Sequence, residues 1–210
     1  MKIFIVYILS MALILCFMQS SLASEHSDIT AKSEMILYNF ENPDDLDEWR
    51  IVNDGVMGGL SQSIITLTEN KTAVFQGTVS LENNGGFSST RTSPRLYNLT
   101  DNMGIAVHFR GDGKSYQLRL RTDDRFDGVS YRYHFKTKSN EWTTISVAFE
   151  EFVPVFRGRV LKDVEPIVPG KIQQVGFLIS DKQAGPFRLE VDWIKAYRND
   201  SDLVEDSNTS

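Results

Sequence analysis

The feature that most constrains the fold is a succession of nine short segments rich in β-branched and aromatic residues, separated by Gly, Asn, Asp and Pro. Segments of this composition are typical of strands, and the residues between them are typical of turns. The predicted strands are residues 35–40, 64–67, 73–81, 105–109, 116–122, 130–135, 143–148, 174–179 and 187–193. Only residues 43–49 and 149–152 have the character of helical turns. The sequence therefore predicts an all-β fold, an antiparallel β-sandwich of jelly-roll type.

The two ends of the chain differ from this pattern. An apolar run over residues 3–18 follows Lys2 and precedes the small residues Ser21 and Ala23, which predicts a secretory signal peptide over residues 1–23. An uncleaved anchor is the alternative, because the run is only slightly shorter than a membrane span. Residues 24–33 are predicted as a flexible lead-in, 34–198 as a single domain, and 199–210 as an acidic disordered tail. We therefore expect an exported protein, periplasmic or extracellular, whose membrane association is only indirect after cleavage.

The charge and the cysteine content of the chain argue against several classes of function. Cys16, the only cysteine, lies in the predicted signal peptide, so the mature domain has no disulfide and no thiol nucleophile. Without residues 1–23 the chain has 21 basic and 28 acidic residues, a formal charge of −7, which disfavours nucleic acid as a partner. Residues 59–63 lack the second glycine of a nucleophile elbow, and His134 replaces the closing glutamate of a calcium loop. We predict no catalytic residues, no metal and no cofactor.

One face of the predicted sheet gathers cationic side chains. Residues 105–110, 116–122 and 130–135 are joined by turn signals and predict an antiparallel meander. Alternate residues of each strand pack in the core, and the others share the outer face. That outer set contains no carboxylate and comprises His108, Arg110, Gln117, Arg119, Arg121, Arg132 and His134. Either loop carboxylates such as Asp112, Asp123 or Asp127 neutralise this face, or it binds an anionic partner, a carboxylate-bearing glycan or an acidic protein segment.

Two glycine-rich loop segments, residues 49–63 and 82–87, form a second candidate surface. Asp54 is expected to accept hydrogen bonds from backbone N–H groups of a tight turn, and Val56 and Met57 to enter the core. Structural turns are the alternative interpretation. The loop candidates for a site are Asn53, Asp54, Arg157, Arg159 and Asp181, and a loop salt bridge is the alternative role for the last three. The residues predicted to anchor the core are Trp49, Trp142, Phe177, Phe187 and Trp193.

An ordered series of short motifs runs through the predicted domain. They are Trp49 with residues 52–61 (VNDGVMGGLS), 81–87 (LENNGGF), 109–113 (FRGDG), Tyr116, Trp142, 152–154 (FVP), 156–159 (FRGR), 176–183 (GFLISDKQ), 185–187 (GPF) and 189–194. In order and spacing the chain resembles the complex I intermediate-associated protein family. The resemblance implies a galactose-binding-domain-like β-sandwich and a non-catalytic binding domain, which in mitochondrial members helps to assemble NADH:ubiquinone oxidoreductase.

Together with the predicted signal peptide, the resemblance leads us to expect an exported accessory or assembly factor for envelope protein complexes, with a protein partner in the cell envelope. The first alternative is a carbohydrate-binding module that recognises a glycan or an anionic ligand on the sandwich face. A secreted hydrolase with an unfamiliar site is the second alternative.

Overall fold

Two antiparallel sheets form a β-sandwich over residues 35–199, the part of the chain that the computed structural model describes. The predicted all-β fold is therefore confirmed. The predicted signal peptide, the lead-in and the tail beyond Asn199 lie outside the described residues. No helix among residues 35–199 is long and apolar enough to cross a membrane.

The strands of the described part include all nine that the sequence predicts. They are β1 (Met35–Tyr38), β2 (Trp49–Ile51), β3 (Gln62–Leu67), β4 (Ala73–Val79), β5 (Ser88–Thr92), β6 (Gly104–Gly111), β7 (Ser115–Arg121), β8 (Ser130–Lys136), β9 (Trp142–Ala148), β10 (Val153–Phe156), β11 (Arg159–Val160), β12 (Gln174–Ile179) and β13 (Gly185–Tyr197). Short 3-10 helices span Pro43–Glu48, Asp54–Met57, Glu82–Asn84, Phe149–Glu151 and Pro169–Lys171. The strands that the sequence missed, β2, β5, β10 and β11, are at most five residues long.

The first sheet has the strand order β3-β4-β13-β6-β9, with β1 also paired to β13. The second sheet has the order β11-β10-β8-β7-β12-β5-β2. The core lies between them, where Trp49 stacks on Phe177 with ring centroids 6.0 Å apart and Phe75 contacts Phe187 at 4.9 Å. Trp49, Phe177 and Phe187 are all buried, as the sequence predicts.

The predicted meander of three neighbouring strands is wrong, because β6 lies in the first sheet while β7 and β8 pair in the second. The residues between Gly111 and Ser115 cross from one sheet to the other instead of closing a hairpin. The physical reason is core packing: the apolar side of β6 faces that of β7 and β8 across the sandwich. Phe109 of β6, for example, packs on Phe135 of β8 with ring centroids 4.8 Å apart.

Two of the predicted core anchors, Trp142 and Trp193, lie on the outer face of the first sheet. By simple alternation Trp193 would follow the buried Val191 into the core. The register of β13 against β6 shifts between these two residues, however, so Trp193 faces outward. In β9, Ile145 and Val147 pack inward, and the period of two then places Trp142 outside. The sequence pattern does not reveal a register shift. It does show, by alternation, which side chains of β9 face outward.

Candidate functional site: an arginine row across the second sheet

Four arginines form a line across the outer face of the second sheet, and we call this set, Arg50, Arg91, Arg119 and Arg132, the arginine row. Arg132 of β8 lies directly opposite Arg119 of β7, and Arg119 lies opposite Gly176 of β12. Gly176 in turn lies opposite Arg91 of β5, which lies opposite Arg50 of β2. Neighbouring strands are about 4.8 Å apart, so the row is roughly 19 Å long.

The loop carboxylates Asp123 and Asp127 lie close enough to act on the charge of Arg121, and Asp127 on that of Arg91, but the ion pairs they form are with other residues. Asp127 pairs with Arg157, and Asp123 pairs with Arg125 at 2.5 Å. The carboxylate of Asp112 accepts hydrogen bonds from Lys114, Tyr116 and Arg188. Within residues 35–199, neither Arg121 nor any member of the arginine row forms an ion pair with a carboxylate.

Burial and the charge of neighbouring arginines lower the pKa of two members of the row, Arg91 and Arg119. Burial lowers the pKa of Arg119 to about 10, and the charges of Arg132 and Arg121 act in the same direction, whereas Asp181 opposes them. Burial also lowers the pKa of Arg91 to about 10, and Arg121 and Arg50 lower it further, whereas Asp127 opposes the shift. An anion bound to this face would relieve the repulsion, because like charges directly opposite each other in a sheet are unfavourable.

Polar neighbours orient the central arginine. Arg119 donates to Gln117 Oε1 through Nε at 2.9 Å and to Ser130 Oγ through Nη1 at 2.7 Å. Gln117 is itself buried and donates to Ser180 Oγ at 3.1 Å, so the guanidinium is tied to the turn after β12.

His134 and Asp181 border the row on the same side of the second sheet. The Asp181 carboxylate lies 3.8 Å from Nδ1 of His134. Burial lowers the pKa of His134, and Arg132 lowers it further, although Asp181 opposes the shift. The structure thus brings together six of the residues predicted from the sequence: Gln117, Arg119, Arg121, Arg132, His134 and Asp181.

Sequence reasoning missed Arg50 and Arg91, because β2 is only three residues long and β5 contains no apolar residue. A weak signal exists in β5, where buried Ser88, Thr90 and Thr92 alternate with the more exposed Ser89 and Arg91. Pairing with β12 and β2 then decides that Arg91 stands in the row.

His108 and Arg110 are separated from the other predicted site residues, because they lie on the outer face of the first sheet. His108 stacks between Trp142 and Trp193, with ring centroids at 5.0 and 5.6 Å, and its Nδ1 is 2.9 Å from Thr144 Oγ1. Arg110 pairs with the buried Glu190 at 2.8 Å. Burial raises the pKa of Glu190, but hydrogen bonds from Arg110, Thr72 and Arg188 outweigh burial and lower it.

Asp54 is fully buried and joins the two glycine-rich loop segments. Its carboxylate accepts hydrogen bonds from Ser61 N at 2.9 Å, Ser61 Oγ at 2.5 Å, Gly86 N at 2.7 Å and Phe87 N at 3.2 Å. Burial raises the pKa of Asp54, but these hydrogen bonds outweigh it and the pKa lies below its ordinary value. The predicted bonding of Asp54 to backbone N–H groups is therefore confirmed, and the contacts are structural.

The remaining loop residues lie at the surface or in contacts with other side chains. Val56 and Met57 are each 60% exposed, not in the core, because the turn that buries Asp54 directs the next side chains outward. Asn53 Oδ1 accepts from Ser63 and Ser88 at the edge of an open concavity of about 1050 Å³. Arg157 pairs with Asp127, and the exposed Arg159 lies in β11.

The fold defines the class of protein as a β-sandwich of jelly-roll, galactose-binding-like type. It is similar to the family 11 carbohydrate-binding module from Clostridium thermocellum, with a TM-score of 0.60 at 18% identity over 80% of this chain and 97% of that chain. It is also similar to the agarase AgWH50C, with a TM-score of 0.54 at 12% identity over 79% of this chain and 25% of that chain. At these identities the likeness shows the fold alone.

The chain belongs to the Complex I intermediate-associated protein 30 (CIA30) family, whose model matches residues 38–191. The mitochondrial Complex I intermediate-associated protein 30 of Mus musculus is 27% identical over 199 residues, covering 85% of this chain and 60% of that protein. The Drosophila melanogaster protein of the same name is 27% identical over 76% of this chain and 61% of its own length. The chain thus spans about three fifths of these two relatives.

The relatives correct the predicted location. Proteins from Mus musculus, Drosophila melanogaster and Neurospora crassa that match this chain are all named as mitochondrial. They point to the mitochondrion, and the prediction of an exported, periplasmic or extracellular protein is wrong. That prediction depended entirely on residues 1–23, which lie outside the described residues, whereas the family is defined by the β-sandwich itself.

Proposed function

We propose that this protein is a non-catalytic binding protein that associates with assembly intermediates of respiratory complex I. The family membership supports this role, since the relatives are named for such intermediates. We propose further that it docks an acidic segment of a partner protein on the outer face of the second sheet.

The arginine row is the observation that carries this docking proposal. Its members stand in register on four strands and lack carboxylate partners within the described part of the chain. Such an arrangement costs stability in the free protein, because the guanidinium groups repel one another. A guanidinium binds a carboxylate through two parallel hydrogen bonds, so an acidic partner would satisfy the row geometrically as well as electrostatically.

The proposal is tested by copurification of complex I subunits with the tagged full-length protein from an extract of its own cells. The variant Arg50→Gln/Arg132→Gln removes two charges from the ends of the row. The matched control, Lys162→Gln/Lys171→Gln, removes two charges from exposed positions elsewhere. We expect complex I subunits to copurify with the wild type and with the control. With the arginine variant, the amount of copurified subunits should fall by at least about tenfold.

Two outcomes contradict the proposal. If the arginine variant retains the association as fully as the lysine control, the row is not the docking face. If no complex I subunit copurifies with the wild type at low ionic strength, where charge contacts are strongest, the assembly role is wrong.

Glycan binding, the alternative function, has less support. The aromatic rings a sugar would stack on, Trp142 and Trp193, already stack on His108. In addition, the Arg110 guanidinium lies 4.9 Å from the Trp142 ring and the Lys195 ammonium 4.2 Å from the Trp193 ring. Saturable binding of a defined glycan that is lost in Trp142→Ala would favour this alternative.

A further inference from the structure

A small depression lies in the outer face of the second sheet at the centre of the arginine row. Its volume is about 50 Å³, and its lining includes Gly176, Gln174 and the side chains of Arg91, Arg119 and Arg121. Gly176 is required there, because a Cβ would come within 2.4 Å of the Thr90 carbonyl oxygen and 2.8 Å of Arg91 Cβ. Position 176 therefore carries no side chain, and the depression between the three guanidinium groups stays unfilled.

The guanidinium groups around this depression are held by neighbouring hydrogen bonds. Arg91 donates to the Phe126 carbonyl oxygen at 3.0 Å, and Arg121 donates to the Gly128 carbonyl oxygen at 3.3 Å. Arg119 is fixed by Gln117 and Ser130. Because the cations are positioned before any ligand arrives, little conformational entropy is lost on binding.

Gln174 adds an acceptor to this cationic surrounding. The side chain is 4% exposed, and its Oε1 has no hydrogen-bond partner within residues 35–199. A buried acceptor without a donor is uncommon in folded proteins. A ligand that brings both an anionic group and a nearby N–H would satisfy the arginines and the amide together.

We propose that this depression is an oxyanion site that takes the carboxylate of an Asp or Glu side chain in an extended segment of the partner protein. The carboxylate binds Arg91, Arg119 and Arg121, and a backbone N–H next to it donates to Gln174 Oε1. The volume is suited to one such group, since a water molecule occupies about 30 Å³. Inorganic sulfate, which carries no proton at neutral pH, shares the oxyanion chemistry but lacks the donor. The inference rests on the proposed function, because it names the anchor within the same docking face.

The test is an NMR titration of the full-length protein with two blocked peptides that differ only in a central Asp or Asn. We expect the Asp peptide to shift the Gly176 amide and the arginine Nε–H signals, and to bind at least about tenfold more tightly than the Asn peptide. Arg121→Gln weakens binding by about tenfold or more, whereas the control Lys162→Gln leaves it unchanged. Gln174→Leu weakens binding of the Asp peptide but not of inorganic sulfate.

Three results overturn the inference: equal binding of the two peptides, equal affinity of Arg121→Gln and Lys162→Gln, or tighter binding of inorganic sulfate than of the Asp peptide. The last result would assign the site to a free small anion. If the anchor fails in this way while Arg50→Gln/Arg132→Gln still loses complex I subunits, the docking face stands and only the anchor is removed.

Discussion

At the scale of single residues, one buried carboxylate explains why two glycine-rich loop segments share their character. Asp54 accepts four hydrogen bonds, two from Ser61 and two from the backbone of Gly86 and Phe87. A Cβ at Gly59 or Gly85 would lie 2.4 or 2.6 Å from atoms of this carboxylate. These glycines therefore serve the packing of Asp54, and the motif is a structural device that joins the two loops.

We predict that Asp54→Asn lowers the free energy of unfolding by about 3 kcal/mol, because buried N–H donors lose a charged acceptor. The pKa of Asp54 is below its ordinary 3.8 in the folded protein. Its charge therefore stabilises the fold fully above the ordinary pKa, and this contribution disappears as the pH falls through the lower, folded-state pKa. Urea unfolding from neutral to about pH 2 should show the gap between wild type and variant closing.

The exposed Asp124 provides the control for this experiment. Asp124→Asn should leave the midpoint of unfolding within about 0.5 kcal/mol of the wild type, as is usual for surface substitutions. An Asp54→Asn variant that is as stable as Asp124→Asn at neutral pH would show that the loops do not depend on the buried carboxylate.

His134 reports the electrostatics of the arginine row. Burial and then Arg132 lower its pKa in the folded protein. We predict that Arg132→Gln raises the pKa of His134 toward its ordinary value, whereas Lys162→Gln leaves it unchanged. An NMR titration of the imidazole signals measures this shift, and an equal pKa in both variants would argue against a contribution from the row.

At the scale of elements, the strands were predictable and their partners were not. The period of two in β7 and β8 correctly placed Gln117, Arg119, Arg121, Arg132 and His134 on one face. Pairing depends on which apolar faces meet across the core, and this placed β6 in the other sheet with His108 and Arg110. The four-member arginine row needs β2, which has only three residues, and β5, which has no apolar residue, so the sequence revealed only half of the row.

The register of β12 and β9 gives a matched pair of stability predictions. Phe177→Ala should lower the free energy of unfolding by about 4 kcal/mol, because the ring is 2% exposed and stacks on Trp49. Trp142→Ala should cost no more than about 1.5 kcal/mol, because this ring is 36% exposed on the outer face. Denaturant midpoints measure both, and equal losses would contradict the placement of Trp142.

At the scale of the whole molecule, charge is segregated. The chain has a formal charge of −6, yet one sheet face collects arginines without carboxylate partners among the described residues. The net charge correctly argues against a surface that is basic overall. It does not predict that one sheet face carries a cluster of positive charges. The sequence predicted the family and the sandwich, whereas the location predicted from residues 1–23 was wrong, since the matching relatives are named as mitochondrial.

The central claim is that the arginine row serves binding and not the stability of the fold. The most direct measurement is the free energy of unfolding of Arg132→Gln in urea at low salt, beside the wild type. Because Arg132 faces Arg119 directly, removing its charge relieves repulsion, and we predict a variant that is as stable as the wild type or more stable by about 0.5 kcal/mol. A loss of more than about 1 kcal/mol would show that the row holds the sheet together and would contradict the account.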